Sequence, residues 1–598
     1  MLSYCLRILL CLLTTAFIPS VTFATTSDVE LGRRIYMEGV LPSGLPLKAL
    51  RGDDELTGKQ AACAACHRPS GMGSVEGDIQ VPPITGNYLY RSGDALQATM
   101  DPRSGKRFNL AHEPYTDAAV AKAVTGGVNI GGQEMSVLMP RYVLNNDEMR
   151  ALTLYLKQLS QHYSPGVSKD EVHFATVITP DANPEKRRML LRVLERGFTQ
   201  KNGSTMLGSK TADGRRSGRR HMVTAAELVL GTERKWVLHV WNLHGAPETW
   251  QKQLQDFNQK EPVFALLSGL SGSTWQPVHA FCEDNHIPCW MPSVDLPVSA
   301  EDDIYSIYFQ RGVSLEADVL SKFVTDDAKL TPKRIVQIYR DNALGMGASA
   351  ALSVALKDSG ITLENRPIVG DLPALRKALE GLGEQDAVML WLNAEDLSLL
   401  NAVAATKAAV YVSGRMAGGE KLALVDAWKQ TTKMIYPYEL PEKRQLNLNY
   451  FHSWMRFNQI PIEDEPLQAE AYFALDFMSD TMTEMLDNVY RDYLLERAES
   501  MLSRNESGKA EQRDRTRQVM RWSTRVPRIG KHEVPASEGT VKPEVDTSSA
   551  QVSAKSTTIY PRMSLGIGQR FASKGAYIVR FDDTVNTKLV PLSAWIVP

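Results

Sequence analysis

Two cysteines three apart, followed at once by a histidine, stand at Cys63-Ala64-Ala65-Cys66-His67. Covalent haem attachment needs this order. The thiols add to the two porphyrin vinyl groups, and the next side chain is held under the iron as its proximal ligand. A redox dithiol would place CxxC beside a βαβ pattern. A zinc site would need a second ligand pair nearby, and none follows. Neither alternative explains the histidine. The expectation is a covalently attached haem c, bonded through Cys63 and Cys66, with His67 on its iron.

Residues 1–24 read as a secretory signal, which agrees with haem attachment on the exported side of a membrane. Arg7 supplies the charge, an apolar stretch runs from Ile8 to about Ile18, and Thr22-Phe23-Ala24 predicts cleavage after Ala24. The stretch falls short of the roughly 20 apolar residues of a membrane span, and no later segment qualifies. Leu10 before Cys11 argues against a lipoprotein. The expected location is the periplasm. A net charge of −2 suggests neither nucleic acid nor a membrane surface as partner. Cys5 and Cys11 leave with the signal and Cys63 and Cys66 go to haem. Cys282 and Cys289 remain, and a disulfide between them is expected in an oxidising compartment.

Residues 26–163 carry the haem motif. Leu31–Tyr36 reads as a first helix, Val81-Pro82-Pro83-Ile84-Thr85-Gly86 as a turn, and Asp147–Leu159 as a closing helix capped by Asn145 or Asn146. A proline carbonyl in the turn can orient a proximal histidine by accepting its free ring N–H. Met139-Pro140-Arg141-Tyr142 lies between turn and closing helix. Together these segments resemble class I cytochrome c, a small all-α fold. The resemblance makes Met139, immediately before Pro140, the distal axial ligand, with Met135 as competitor. A thioether is a soft neutral donor that favours Fe(II). With both axial positions filled, an electron carrier rather than an enzyme is implied.

Gln161–Lys169, with Ser164-Pro165-Gly166, reads as a linker. Beyond it, from 170 to 598, strand-like runs alternate with helical ones. Examples are Val172–Ile178, Trp236–Trp241, Val263–Leu267, Arg334–Tyr339, Ala387–Leu392 and Ala409–Val412. Such alternation predicts two parallel sheets covered by helices, over about 170–298 and 300–432. Helices are expected from Asn183 to about Gln200, over Glu395–Lys407 and over Leu467–Glu496. The stretch from Lys201 to Arg220 is basic, and 504–558 reads as a polar insertion. This half resembles a type I periplasmic binding protein of the branched-chain amino acid and amide receptor kind, a two-lobed α/β fold. The resemblance implies that Tyr305–Gly312 enters the second lobe and that the chain returns to the first after about Met434. Ligand would bind between the lobes. Ser268–Thr274 follows a strand and opens a helix, which suits a carboxylate, and Ser271, Ser273 and Thr274 are the expected contacts.

The combined expectation is an exported cytochrome that carries one electron through a His/Met-ligated haem. Its receptor-like domain would bind a small organic ligand or dock a redox partner, such as an exported dehydrogenase or terminal oxidase. The alternative is the substrate-binding protein of an ABC-type amino acid or amide uptake system with an accessory haem domain.

Overall fold

Helices 26–38 and 146–158 cross so closely that a Cβ on Gly32 would lie 2.1 Å from the Ala151 carbonyl oxygen. The computed structural model describes residues 26–76, 79–91, 112–210, 234–298, 300, 302–326, 331–422, 424–503, 558–582 and 589–598. Residues 1–24, where a signal is expected, residues 211–220 of the basic stretch and residues 504–557 of the polar insertion lie outside them. The chain divides into two units between Tyr163 and Ser164.

The first unit holds α1 (Thr26–Glu38), α2 (Ala64–His67), α3 (Gly86–Leu89), α4 (Asp117–Gly126) and α5 (Asn146–Gln158). Side chains of α1 and α5, among them Ile35, Tyr36, Leu152 and Leu156, meet in one apolar core. The helix α5 starts where Asn145 accepts from the Asp147 and Glu148 N–H groups, while Glu148 accepts from the Asn145 N–H. This closed capping box satisfies donors that a helix start leaves unpaired. Besides the expected helices there is an antiparallel sheet, β2-β1-β5, of β1 (Lys48–Arg51), β2 (Asp54–Thr57) and β5 (Arg141–Tyr142). A small ladder pairs β3 (Ser74–Glu76) with β4 (Ile79–Val81). Strands of two to four residues are too short to carry a readable alternation.

The second unit contains two sheets. The first has the order β10-β9-β8-β6-β7, all parallel, built from β6 (Glu171–Ile178), β7 (Lys235–Asn242), β8 (Ala265–Leu267), β9 (Cys289–Trp290) and β10 (Ser306–Ile307). Its helices are α6 (Pro184–Lys210), α7 (Trp250–Lys260) and α8 (Gln276–Asp284). The second sheet has the order β12-β11-β13-β14-β15-β16-β17. Its strands β11 (Arg334–Arg340), β12 (Thr362–Ile368), β13 (Asp386–Trp391), β14 (Ala409–Ser413) and β15 (Thr432–Tyr436) are parallel. The remaining strands, β16 (Tyr577–Phe581) and β17 (Leu589–Pro591), are antiparallel. Helices α9 (Val313–Thr325), α10 (Ala343–Ala355), α11 (Leu372–Ala378), α12 (Ala394–Ser398) and α13 (Asp426–Lys429) belong to this half. Strands buried on both faces explain the continuous apolar runs. Each sheet has its own core, one around Trp241, Trp250 and Trp275, the other around Trp391 and Tyr411. The result is the two-lobed α/β architecture expected.

Several boundaries differ from the sequence reading. The 305–312 stretch does not leave the first lobe at once, because β10 pairs with β9. After β15 the chain passes through α14 (Pro441–Asn447) and α15 (Asn449–Phe457) to α16 (Glu465–Met485), which does return to the first lobe. There the Trp290 indole N–H donates to the Ala474 carbonyl at 2.9 Å and its ring stacks on Phe477. But β16 and β17 rejoin the second sheet. The helical run over 467–496 is broken where Leu486 takes a φ of 55°, and a further helix, α17, covers 491–503. Helix α6 continues past Gln200 to Lys210, and α12 ends at Ser398, giving way to a 3-10 turn over Leu399–Ala402.

Candidate functional site

The haem motif occupies α2 and Cys63, the residue that precedes it. A positive φ of 66° at Arg68 stops the helix directly after His67, and the Tyr36 hydroxyl donates to the Arg68 carbonyl at 2.8 Å. His67 is 5% exposed, and its Nδ1 lies 2.9 Å from the Pro82 carbonyl oxygen. A carbonyl only accepts, so the ring proton sits on Nδ1 and Nε2 keeps its lone pair. Burial lowers the His67 pKa to about 4, and the Pro82 contact only partly offsets this. The ring is therefore neutral, the form that ligates iron. Burial also pushes the Cys63 thiol up to about 12. The Tyr142 hydroxyl touches that thiol and is itself raised, first by burial and then by the nearby sulfur. Cys66, in contrast, is exposed. A neutral, oriented imidazole beside two unpaired thiols fits a covalently held haem. His67 and the two cysteines would hold it, and its iron would supply a one-electron couple.

Met139 is half-buried against the core of the first unit, and Pro140 behind it is buried. Its N–H donates to the Ser136 carbonyl at 3.1 Å, closing a turn. Met135 is also half-buried, with its N–H on the Gly127 carbonyl at 2.8 Å. Arg141, which the sequence reading passed over, donates to the carbonyls of both methionines.

In the second unit the Ser268–Thr274 loop follows β8 as expected, but the side chains of Ser271, Ser273 and Thr274 already have partners, while the buried Ser268 Oγ has none. Ser271 Oγ donates to the Thr274 carbonyl at 2.8 Å, and Thr274 Oγ1 accepts from the Gln276 N–H at 3.2 Å. The Asp181 carboxylate accepts from Ser273 Oγ and Thr179 Oγ1, and from the Gly272 N–H at 3.3 Å. An anion does sit at this loop, and it belongs to the chain itself. Nothing in the sequence pattern linked Asp181, some 90 residues earlier, to these serines.

The lobes meet at a buried polar cluster. Arg415, which follows β14, has a side chain 7% exposed. Its Nε donates to Asp295 Oδ1 at 2.9 Å, and its Nη1 to Glu470 Oε1 on α16 at 3.4 Å. Glu470 also accepts from Ser293 Oγ at 2.7 Å and from the Tyr560 hydroxyl. Burial opposes the Arg415 charge, but Tyr438, Asp295 and Glu470 outweigh it and hold its pKa well above the usual range. Burial likewise works to raise Asp295, and Arg415 outweighs it, leaving that carboxyl below its ordinary value. Of other strand-end residues, Tyr308 is buried with its hydroxyl 2.9 Å from His279 Nδ1, and Glu395 lies in the first turn of α12. Cys282 and Cys289 are both buried free thiols, side by side at the end of α8 and in β9.

Residues 56–160 match the family described as Cytochrome c, well under half of the chain. None of the curated proteins matches it. Among solved structures, it is similar to a fatty acid ABC transporter substrate-binding protein from Thermomonospora curvata, with a TM-score of 0.46 and 13% identity, over 73% of this chain and 95% of that one. A leucine-binding protein from Thermotoga maritima gives 0.44 and 10%, over 71% and 99%. A branched chain amino acid ABC transporter from Thermus thermophilus with bound valine gives 0.47 and 9%, over 72% and 98%. The first unit of this chain thus contains a cytochrome c domain, whose cofactor is a covalently bound haem c with its iron, and the second is a two-lobed α/β body.

Proposed function

We propose that this chain is an exported electron carrier, with His67 and Met139 as axial ligands and the two-lobed unit as the module that docks its redox partner. The observation that carries this is the His67 ring, buried, neutral and turned by Pro82 so that Nε2 is free to ligate. Among the described residues no helix is long and apolar enough to cross a membrane. Docking is preferred over ligand uptake because Asp181 and Arg415 are both engaged within the chain. A ligand carboxylate at Ser271, Ser273 and Thr274 would have to displace Asp181. The partner would be an exported dehydrogenase or terminal oxidase.

The test uses the haem-loaded protein. Met139→Ala should abolish the sulfur-to-iron charge-transfer band of the ferric form and lower the midpoint potential. An unchanged band removes the His/Met reading. Thermal stability is then followed with amino acids, amides, short organic acids and alcohols. A rise in melting temperature with any of them would favour the uptake-receptor reading, by mass action on the native state. No rise supports docking. Cys282 and Cys289 are proposed to pair once exported. Denatured, unreduced protein should then take up no alkylating agent at these two positions.

A further inference from the structure

We propose that Arg141 is the positioning residue of the methionine loop, the group that presents Met139 rather than Met135 towards the iron. This rests on the reading of Met139 as axial ligand.

The loop begins at the end of α4, where Gly127 has a left-handed φ of 67° and its N–H donates to the Ala123 carbonyl. It folds back at once. Val128 bridges Glu134, the Asn129 N–H meets the Gln133 carbonyl at 2.9 Å, and the Met135 N–H returns to Gly127. A second turn, Ser136 to Met139, follows directly, with the Leu138 N–H on Ser136 Oγ at 3.2 Å. The Met135 and Met139 carbonyls stand at the two ends of this second turn. The Arg141 guanidinium spans them, with Nη1 on Met139 and Nη2 on Met135 at 3.1 Å. Its own backbone is fixed in β5, in register with Leu50 of β1. A Cβ on Gly127 would come within 1.9 Å of Arg141 Nε, so the guanidinium lies directly over that glycine. One planar fork therefore joins the sheet, the end of α4 and both ends of the methionine turn. A lysine could reach one of the two carbonyls as a point charge but could not bridge them in one plane. Losing the clamp leaves both carbonyls without a charged donor and frees the turn to shift, so that the thioether competes less well for the iron.

The test compares Arg141→Met and Arg141→Lys with Met139→Ala and Met135→Ala, all as haem-loaded full-length protein. The readouts are the ferric charge-transfer band, the midpoint potential and the affinity of added imidazole for the ferric iron. Arg141→Met should weaken the band, lower the potential and tighten imidazole binding by about tenfold or more. Arg141→Lys should fall between it and the parent, and it keeps the test available if Arg141→Met fails to fold. A variant at Arg141 with parental band, potential and imidazole affinity overturns the proposal while leaving Met139 as ligand. Loss of the band in Met135→Ala, with retention in Met139→Ala, overturns the ligand assignment and this proposal together.

Discussion

Glu316 is a carboxylic acid at 0% exposure at the start of α9. Its Oε1 accepts from the Arg415 N–H at 3.1 Å, and its Oε2 has no partner. Burial raises its pKa from the ordinary 4.5 to about 8, against the pull of Ser413 and the Arg415 N–H. The folded chain thus holds a proton that the unfolded chain releases. The stability from this group is full below about 4.5, declines as pH rises, and is gone above about 8. The difference is on the order of a few kcal/mol. Glu316→Gln should flatten the dependence of the melting temperature on pH between 5 and 8, roughly the interval between the two pKa values. A variant that keeps the parental slope would show that another group is responsible. Gly127 shows another constraint set by a single atom. Gly127→Ala forces a Cβ onto the Arg141 guanidinium at a left-handed φ. A loss of about 1–3 kcal/mol is expected in urea unfolding.

Between elements, the α1–α5 crossing of the first unit depends on bare backbone at Gly32. Gly32→Ala should cost about 1–3 kcal/mol through overpacking against Ala151, measured as a lower unfolding midpoint monitored at the haem. The Asn145 cap acts on α5 alone. Its replacement by alanine should cost about 0.5–2 kcal/mol, with the haem spectrum unchanged at room temperature. The cap and the apolar stripe of α5 were legible because both are local patterns. The pairing of β5 with β1 was not, since its register joins residues about 90 positions apart.

For the whole molecule, the lobe junction is the feature with the largest expected effect. Arg415→Met would leave Asp295 and Glu470 without their cation. Removing one partner of a buried pair typically costs about 3–5 kcal/mol. The melting temperature of the second unit should fall, and X-ray scattering should report a larger radius of gyration as the lobes part. Unchanged scattering would mean that the apolar contacts of Trp290 with α16 hold the lobes unaided.

The haem motif and the alternation of strands and helices are written in short stretches of chain. Chemistry at Cys63, Cys66 and His67 is set by covalent order, and element type by periodicity, so the sequence alone determined the cofactor and the fold class. The acceptor that turns His67 could be anticipated as far as a proline turn, because Pro82 lies only 15 residues away. What closes the lobes could not. Arg415, Asp295, Glu470 and Tyr560 come from four separate segments, and a charge becomes structural only when packing removes water from around it. The same holds for Asp181 at the serine loop. Local sequence predicts a site that welcomes an anion, but which anion fills it depends on how distant strands are brought side by side.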